Sequence, residues 1–333
     1  MRYSLFLALA AFVSIVSAQT PKHIGRIEKL DDAFDQLVGS DAKIEVLAGG
    51  FTWTEGPVWV ADDRGGHLLF SDIPRNSIFR WSPAERENQS GGISLFLSPS
   101  GYTGTTYYGL EPGSNGLTLD PDGQLAMCEH GDRRVSVLTH GGGKRTLVDN
   151  YQGKRLNSPN DLVFSKDGSV YFTDPIYGLP ERADDPRREL DFCGVYRLNK
   201  DGTLDLLTTQ MTRPNGIGLS PDEKTLYVAQ SDPGNPIWMS FPIQENGKLG
   251  AGKELLNARK YMREFPGLPD GLVVAKDGTL FASGPGGIYV MSPSGQLLGR
   301  LITGERTSNC TFDTDQTYLY LTADSYLCRV KMK

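Results

Sequence analysis

Residues 158–175 read SPNDLVFSKDGSVYFTDP, the clearest copy of a unit that recurs along the chain. Two apolar runs, residues 162–164 and 170–172, flank the turn sequence Lys166-Asp167-Gly168. An Asp-Gly turn between alternating runs is typical of a β-hairpin, because glycine accepts the positive φ that such turns need. The stretch therefore predicts two antiparallel strands, with the polar residues Asn160 and Asp161 at the mouth of the hairpin.

The same unit occurs six times along the chain. Each copy opens with a residue that carries a side-chain oxygen, and the leading residues lie 39 to 60 positions apart. They are Glu55, Asn115, Asn160, Asn215, Asp270 and Asn309. Each opening is followed by an apolar strand, a turn and a second strand, and most copies show a third and a fourth. Six units of four antiparallel strands predict an all-β, six-bladed β-propeller, with a β-sandwich array as the alternative.

The two ends of the chain complete the predicted ring. The sixth copy reaches Lys333 after its third strand, and an unassigned strand candidate lies at residues 43–47. Pairing this N-terminal strand with the last blade would close the propeller. We therefore expect one domain over residues 43–333, preceded by a helical or irregular connector over residues 19–42. The inserts at residues 102–112 and 179–191 break the repeat and are expected to be loops over one face.

The first residues have the pattern of a secretory signal peptide. Arg2 precedes an apolar run over residues 3–16, and Ser17-Ala18-Gln19 provides a small-residue cleavage site. An uncleaved membrane anchor is the alternative, although the run is short for a span. We expect a signal peptide at residues 1–18, export to the periplasm or the medium, and no stable membrane association after cleavage.

Charge and cysteine content exclude several classes of function. The 333-residue chain has a net charge of -6, and its charged residues are dispersed. The sequence has no cluster of basic residues that would attract the phosphate groups of a nucleic acid, so we do not expect nucleic-acid binding. Four cysteines lie in or beside apolar runs without the spacing of a disulfide scaffold or a zinc site, so we expect buried free thiols. A monomer or a dimer is expected.

The leading residues of the six copies predict a metal site in the channel. The first strand of each propeller blade lines the central channel, so these side chains should approach the axis. Two carboxylates with several amide oxygens, and no His or Cys, form a hard oxygen site that suits Ca²⁺, with Mg²⁺ or Mn²⁺ next. Zn²⁺ prefers nitrogen and sulfur and is the last choice. The structural alternative is that Asn and Asp simply cap turns at the strand starts.

A second set of polar residues is expected around the same mouth. Each second strand is antiparallel to the first, so its end returns to the face where the first strand starts. The residues placed there are Asp72, Glu129, His130, Asp174, Asp232 and Asp324. They are candidates for acid/base or supporting roles, and each is also typical of a turn cap. We expect Asn160, Asn115, Asp161, His130 and Asp174 to contact substrate.

Five motifs, in order over roughly residues 47–331, resemble the gluconolactonases of the senescence-marker-protein/regucalcin group. They are Thr54-Glu55-Gly56-Pro57-Val58-Trp59, Met127-Cys128-Glu129-His130-Gly131, Ser158-Pro159-Asn160-Asp161, Arg213-Pro214-Asn215-Gly216 and Leu268-Pro269-Asp270-Gly271. The resemblance implies a six-bladed propeller that holds one divalent metal in its channel and hydrolyses lactones. It also implies Glu55, Asn215 and Asp270 as metal ligands, and Asn160 as a contact to metal or substrate.

The resemblance further implies Asp270 as the acid/base residue. One position departs from the animal members, which carry an arginine two residues before the substrate-contacting Asn, whereas this chain has Ser158. Sugar-acid specificity is therefore not carried over, although the bacterial-type branch is similar to this sequence there.

The resulting hypothesis is a divalent-metal-dependent lactonase for an aldonolactone such as gluconolactone. The metal would polarise the carbonyl, and a carboxylate would handle the proton of the attacking water. Asp270 is the expected carboxylate, with Asp161, Asp174 and His130 as alternatives. A promiscuous esterase or phosphotriesterase, or a non-catalytic secreted propeller stabilised by Ca²⁺, remain as alternative functions.

Overall fold

The computed structural model describes residues 22–63, 65–83 and 91–333. The signal peptide predicted for residues 1–18 lies outside the described residues. Within the described ranges the chain forms 28 β-strands and three 3-10 helices, and no helix there is long and apolar enough to cross a membrane. The strands assemble into six sheets arranged as the blades of a β-propeller, together with one two-stranded ribbon, Asn150–Tyr151 and Lys154–Arg155.

Blades 1 to 3 contain four antiparallel strands each, which follow one another from the channel outwards. Blade 1 comprises Thr54–Val60, His67–Asp72, Ser77–Ser82 and Gly92–Leu97. Blade 2 comprises Ser114–Leu119, Leu125–Glu129, Arg134–Leu138 and Lys144–Val148. Blade 3 comprises Leu162–Phe164, Val170–Asp174, Gly194–Leu198 and Leu204–Thr208. The hairpin predicted for residues 158–175 is thus the inner strand pair of blade 3.

Blades 4 to 6 complete the circle. Blade 4 comprises Pro214–Leu219, Thr225–Gln230, Ile237–Pro242 and Lys253–Asn257. Blade 5 comprises Leu272–Val274, Leu280–Gly284, Gly287–Met291 and Leu297–Ile302. Blade 6 comprises Thr307–Phe312, Tyr318–Ala323, Tyr326–Lys331 and the N-terminal strand Ile44–Gly49. The first strands contact one another in order around the axis, and blade 6 contacts blade 1.

The predicted closure of the last blade is confirmed. Ile44–Gly49 pairs antiparallel with Tyr326–Lys331, so the two ends of the chain share one sheet. The preceding segment, which we expected to be helical or irregular, also contributes strands. His23–Ile24 adds a fifth strand to blade 6, and Arg26–Lys29 adds one to blade 5. The three 3-10 helices are Asp32–Gln36, Arg182–Asp184 and Tyr261–Arg263.

The hydrophobic core is divided into layers between neighbouring blades. Each of the six blade interfaces has its own cluster of buried apolar side chains. Between blades 2 and 3, for example, Val135 packs with Leu162 and Phe172, and Phe172 stacks on Tyr196 with ring centroids 5.2 Å apart. Successive side chains of a strand point to opposite faces, so strands with continuous apolar runs give each sheet two apolar faces, and the blades on either side bury them. The cysteines Cys128, Cys193, Cys310 and Cys328 are all buried and unpaired.

The two inserts that interrupt the repeat meet each other. The segment between Leu97 and Ser114 contains no strand, and the segment between Asp174 and Gly194 contains only the 3-10 helix Arg182–Asp184. Arg182 Nη2 lies 2.7 Å from Glu111 Oε1, and this ion pair links the second insert to the first. Glu111 also lines the cavity at one end of the channel, so the inserts form part of its wall.

Candidate active site

At one end of the channel the first strands open into a cavity of about 300 Å³, which we call the upper cavity. Its lining residues are Trp53, Glu55, Glu111, Asn115, Asn160, Tyr177, Asn215, Ser231, Gly267, Leu268, Asp270, Arg306 and Thr307. Five of the six predicted leading residues are among them, each from a different blade. The structure therefore brings Glu55, Asn115, Asn160, Asn215 and Asp270 together.

Strand register explains why the motifs pair these residues with glycine. Glu55 and Asn215 are each the second residue of a first strand, and a bulge follows them. The next residue lies against the neighbouring blade: a Cβ on Gly56 would lie 2.1 Å from the backbone oxygen of Asn115, and one on Gly216 would lie 2.2 Å from that of Asp270. The absence of a side chain at this glycine position lets adjacent first strands approach closely.

In blade 6 the strand register places Ser308, and not the predicted leading residue Asn309, at the position equivalent to Glu55. Thr54 and Thr307 both open a first strand and pair with the last residue of the second strand, Asp72 and Ala323 respectively. The equivalent of Glu55 is therefore Ser308, and Asn309 occupies the glycine position. Ser308 donates a hydrogen bond to the backbone oxygen of Thr54 at 2.6 Å. Blade 6 contributes Thr307 to the upper cavity instead.

Asp161 also occupies the glycine position, in blade 3, and lies further along the channel than its neighbour Asn160. It lines a second cavity of about 180 Å³, which we call the lower cavity and whose walls include Leu117, Val273 and Asn309. Its carboxylate accepts hydrogen bonds from the backbone nitrogens of Leu162 at 2.9 Å and Ile217 at 3.4 Å. Among the residues expected to contact substrate, Asp161 thus lies outside the upper cavity.

Two buried oxygens of the upper cavity have no hydrogen-bond donor. Among the described residues, Asn160 Oδ1 and Asp270 Oδ1 are buried without a partner. The amide of Asn215 is oriented by Ser231, whose Oγ accepts from Asn215 Nδ2 at 2.8 Å and donates to the backbone oxygen of Pro269. This contact leaves Asn215 Oδ1 free to accept. Buried oxygens without donors are costly unless a cation or a ligand donor satisfies them.

The carboxylates of the upper cavity disfavour one another's ionisation. Burial, together with the negative charge of Asp161, raises the pKa of Glu55 to about 8. Burial and the nearby charge of Glu55 raise the pKa of Asp270 well above its usual range. Both shifts have the cause expected of acidic groups that share one desolvated site. A positive charge placed between them would reverse these shifts.

Glu111 is a cavity residue that the repeat did not reveal, because it lies in the insert. Its Oε2 lies 3.5 Å from His130 Nδ1, and its Oε1 lies 2.7 Å from Arg182 Nη2. Burial raises the pKa of Glu111, but the opposing contacts with His130 and Arg182 outweigh it and hold this pKa below its usual value. Glu111 is thus an ionised carboxylate beside two carboxylates whose ionisation is disfavoured.

His130 does not line the upper cavity but packs behind the residues that do. Its side chain is fully buried, and its Nε2 lies 3.3 Å from Asn115 Nδ2. Gly178 closes the other side, since a Cβ there would lie 2.5 Å from His130 Cβ. Asn115 lines the cavity, so His130 reaches the site through that amide. The aromatic residues Trp53 and Tyr177 line the cavity, whereas Trp59 stacks on Tyr320.

The carboxylates at the ends of second strands support backbone segments. Asp174 accepts from the backbone nitrogens of Asn157 and Ser158, both at 2.8 Å, and so holds the segment that leads to Asn160. Asp72 does the same for Thr52 and Trp53, at 3.0 and 3.2 Å. Neither residue lines the upper cavity. These contacts are those of turn-capping carboxylates, the structural alternative considered from sequence.

The donor set of the upper cavity fits a hard divalent cation. No three His, Cys, Asp or Glu side chains gather as a metal cluster in residues 22–63, 65–83 and 91–333. The candidate set instead mixes two carboxylates, Glu55 and Asp270, with two amides, Asn160 and Asn215. All four are oxygen donors, two of their oxygens are buried and unpaired, and hard cations such as Ca²⁺ bind such oxygens.

A six-bladed propeller with an acidic, oxygen-lined cavity at one end of its channel defines the class of protein. The chain belongs to the SMP-30/Gluconolactonase/LRE-like family, whose model matches residues 53–325. The family predicted from the five sequence motifs is therefore confirmed.

Individual relatives cover nearly the whole chain. It is 42% identical to a gluconolactonase of Zymomonas mobilis over 98% of this chain and 93% of that protein. A solved structure described as a gluconolactonase from Xanthomonas campestris superposes with a TM-score of 0.78 at 31% identity, covering 96% of this chain and 99% of the other. A calcium-binding regucalcin from Agrobacterium tumefaciens superposes with a TM-score of 0.63 at 15% identity, over 86% and 94%, which shows the shared fold.

Proposed function

We propose that the protein is a divalent-metal-dependent lactonase that hydrolyses the ester bond of an aldonolactone such as gluconolactone. Family membership and 42% identity to a gluconolactonase over nearly the whole chain make it a lactone-hydrolysing hydrolase. The metal dependence and the residue roles rest on the upper cavity. The observation that carries them is the convergence of five oxygen side chains from five blades, with Asn160 Oδ1 and Asp270 Oδ1 buried and unpaired.

The residues that would hold the cation are Glu55, Asn160, Asn215 and Asp270. Their all-oxygen chemistry favours Ca²⁺, with Mg²⁺ or Mn²⁺ next and Zn²⁺ last. A bound divalent cation would supply positive charge that polarises the lactone carbonyl. Ser231 keeps the amide of Asn215 turned so that its oxygen, rather than its nitrogen, faces the cavity. Tyr177 braces the same segment by donating its hydroxyl hydrogen to the backbone oxygen of Ser231 at 3.0 Å.

Asp270 is our choice for the proton-transferring carboxylate. Its side chain lies in the cavity and has two carboxylate oxygens, so that one would hold the cation while the other would accept a proton from water. The water oxygen then bonds to the carbonyl carbon, the bond from that carbon to the ring oxygen breaks, and the proton passes to the ring oxygen as it leaves. Of the alternatives, Asp161 lies in the lower cavity, Asp174 is engaged by backbone nitrogens, and His130 lies behind Asn115 and Glu111 rather than in the cavity lining.

Acid release in a pH-stat tests the proposed function. Purified protein is assayed on glucono-1,5-lactone with added Ca²⁺ and again with excess chelator, and circular dichroism establishes that it is folded in both. We expect base uptake well above the spontaneous rate with Ca²⁺, and loss of this activity with chelator. Equal activity in both would contradict the metal dependence.

The same assay separates the other candidate functions. Folded, metal-loaded protein that releases no acid from any lactone, but hydrolyses aryl esters or phosphotriesters, would support the esterase alternative. Protein inactive on all three classes, whose melting temperature nevertheless rises with Ca²⁺, would support a binding propeller stabilised by the ion.

We also propose that the protein is exported and that residues 1–18 are removed. The basis is the sequence pattern alone, with an apolar run followed by Ser17-Ala18-Gln19. Mass spectrometry of the protein from its native host should give a mature N-terminus near Gln19. An intact Met1 in the native protein would contradict the proposal.

A further inference from the structure

One wall of the upper cavity is a chain of four polar side chains that begins outside the cavity and ends inside it. Arg182 comes from the second insert, Glu111 from the first, His130 follows the second strand of blade 2, and Asn115 lies on its first strand. Successive members lie 2.7, 3.5 and 3.3 Å apart. We call this set the Glu111 arm.

The orientation of the Asn115 amide sets the direction of the contacts in the Glu111 arm. Arginine can only donate, and Glu111 is held ionised by its two cationic or hydrogen-donating neighbours, so the carboxylate can only accept. The structure turns Asn115 Nδ2, and not Oδ1, towards His130 Nε2, which makes Nε2 the acceptor and leaves the ring hydrogen on Nδ1, 3.5 Å from Glu111 Oε2. His130 Nε2 is then the acceptor of the ring, and only the amide nitrogen of Asn115 can donate to it.

The direction of these contacts determines which side-chain atom of Asn115 faces the upper cavity. With Nδ2 committed to His130, the Oδ1 atom of Asn115 is left on the cavity side, and no described residue donates to it. The carboxylate of Glu111, which also lines the cavity, is an acceptor as well. This wall therefore offers only hydrogen-bond acceptors. A ligand placed against it must bring hydrogen-bond donors, and the donors of a sugar-derived lactone are its hydroxyl groups.

We propose that the Glu111 arm is a recognition site for substrate hydroxyl groups, in which Asn115 Oδ1 accepts from a hydroxyl of the lactone ring and Glu111 and His130 are positioning residues that fix its amide. This inference rests on the proposed lactonase function and adds the residues that would distinguish a polyhydroxylated lactone from a hydroxyl-free one. A site that accepts hydrogen bonds from a substrate discriminates against an analogue that lacks them, because its buried acceptors are then left unpaired.

The selectivity between two six-membered lactones tests this inference. The ratio of kcat/KM for glucono-1,5-lactone to that for δ-valerolactone, which has no hydroxyl groups, is measured for wild type and variants. We expect Asn115→Ala and Glu111→Leu each to lower this ratio about tenfold, the size of one neutral hydrogen bond, mainly through KM for gluconolactone. Activity on δ-valerolactone, which offers no hydroxyl group to this wall, should fall less than activity on gluconolactone, and circular dichroism establishes that the variants are folded.

Three further variants separate positioning from other roles. Glu111→Gln keeps an oxygen that accepts from His130, so it should retain most of the ratio. The double variant Glu111→Leu/Asn115→Ala should lose less than the product of the two single losses, because Glu111 orients the amide that Asn115 presents. Glu181→Gln, an exposed residue next to Arg182, is the matched control and should resemble wild type.

Each possible result supports or overturns the inference. An unchanged ratio in Asn115→Ala and Glu111→Leu, with wild type active on gluconolactone, overturns it and leaves the lactonase function standing. A large loss of kcat on both lactones in Glu111→Gln overturns the positioning role and makes Glu111 a proton-transferring group. Wild-type protein that is metal-loaded but inactive on both lactones overturns the proposed function, and the hydroxyl site with it.

Discussion

The two ends of the central channel are built from the same six strands, yet they differ in how their polar groups are satisfied. In the upper cavity, Asn160 Oδ1 and Asp270 Oδ1 are buried without a donor among the described residues. In the lower cavity, the carboxylate of Asp161 accepts from the backbone nitrogens of Leu162 and Ile217, and the rest of the lining is largely aliphatic. Acidic residues occur at both ends, so acidity alone does not mark the site.

The comparison shows that hydrogen bonding, rather than the presence of acidic residues, distinguishes the two cavities. Oxygens without a donor mark the candidate active site, whereas oxygens paired with backbone nitrogens have a structural role. Asn160 and Asp161 are neighbours in sequence, but they line different cavities. Backbone hydrogen bonds commit one carboxylate to holding adjacent first strands together, whereas the upper oxygens remain available to a ligand. Substitutions at the two ends should therefore affect different measurements.

The largest effect on turnover is expected from Asp270→Asn. The amide keeps the shape of the side chain but cannot take a proton from water, so kcat on gluconolactone should fall on the order of 10²–10⁴-fold. Steady-state kinetics of metal-loaded protein measures the effect. Asp161→Asn is the matched control from the lower cavity and should stay within about threefold of wild type. Full activity of Asp270→Asn would exclude its proton role.

A smaller effect is expected from Ser231→Ala in the upper cavity. Ser231 Oγ accepts from Asn215 Nδ2, and without it the amide is free to rotate its nitrogen towards the cavity. Loss of a partner that orients a ligand typically costs about 10–100-fold in metal affinity. Calorimetric titration with Ca²⁺ checks this expectation, and an affinity equal to that of wild type would show that Asn215 is oriented by other contacts.

The smallest effect on catalysis, accompanied by a loss of stability, is expected from Asp161→Ala. This change removes the acceptor for two buried backbone nitrogens, those of Leu162 and Ile217, which should cost about 1–3 kcal/mol in the free energy of unfolding. Chemical denaturation measures the stability, and kcat should remain within about threefold. A stable variant with strongly reduced kcat would place Asp161 in the reaction.

The fold and most of the candidate site could be predicted because both follow the repeat. Alternating apolar runs and tight turns repeat from blade to blade, and the unpaired strand at residues 43–47 showed how the ring closes. Glu55 and Asn215 were identifiable as leading residues of the repeat, and the structure shows that the close approach of neighbouring strands requires the glycine after each. Asp270 follows the same pattern.

The remaining features depend on register and on inserts, which the repeat does not encode. In blade 6, comparison of the six copies predicted Asn309 as the leading residue. The bulge instead places Ser308 at the position equivalent to Glu55 and Asn309 at the position equivalent to Gly56. Glu111 lies in an insert without periodicity, and only the folded chain brings it beside Arg182. Asp174 was expected near substrate, yet its partners, the backbone nitrogens of Asn157 and Ser158, cannot be inferred from its sequence neighbours.

Direct titration of divalent cation into chelator-stripped protein tests the central claim, which is that the cation binds in the upper cavity and not in the lower one. Calorimetry compares wild type with Glu55→Gln from the upper cavity and Asp161→Asn from the lower one. We predict one Ca²⁺ site in wild type, affinity weakened at least about tenfold in Glu55→Gln, and a clearly smaller loss in Asp161→Asn, which removes a nearby negative charge but no ligand. Folded wild type without a site, or equal losses in both variants, would contradict the account.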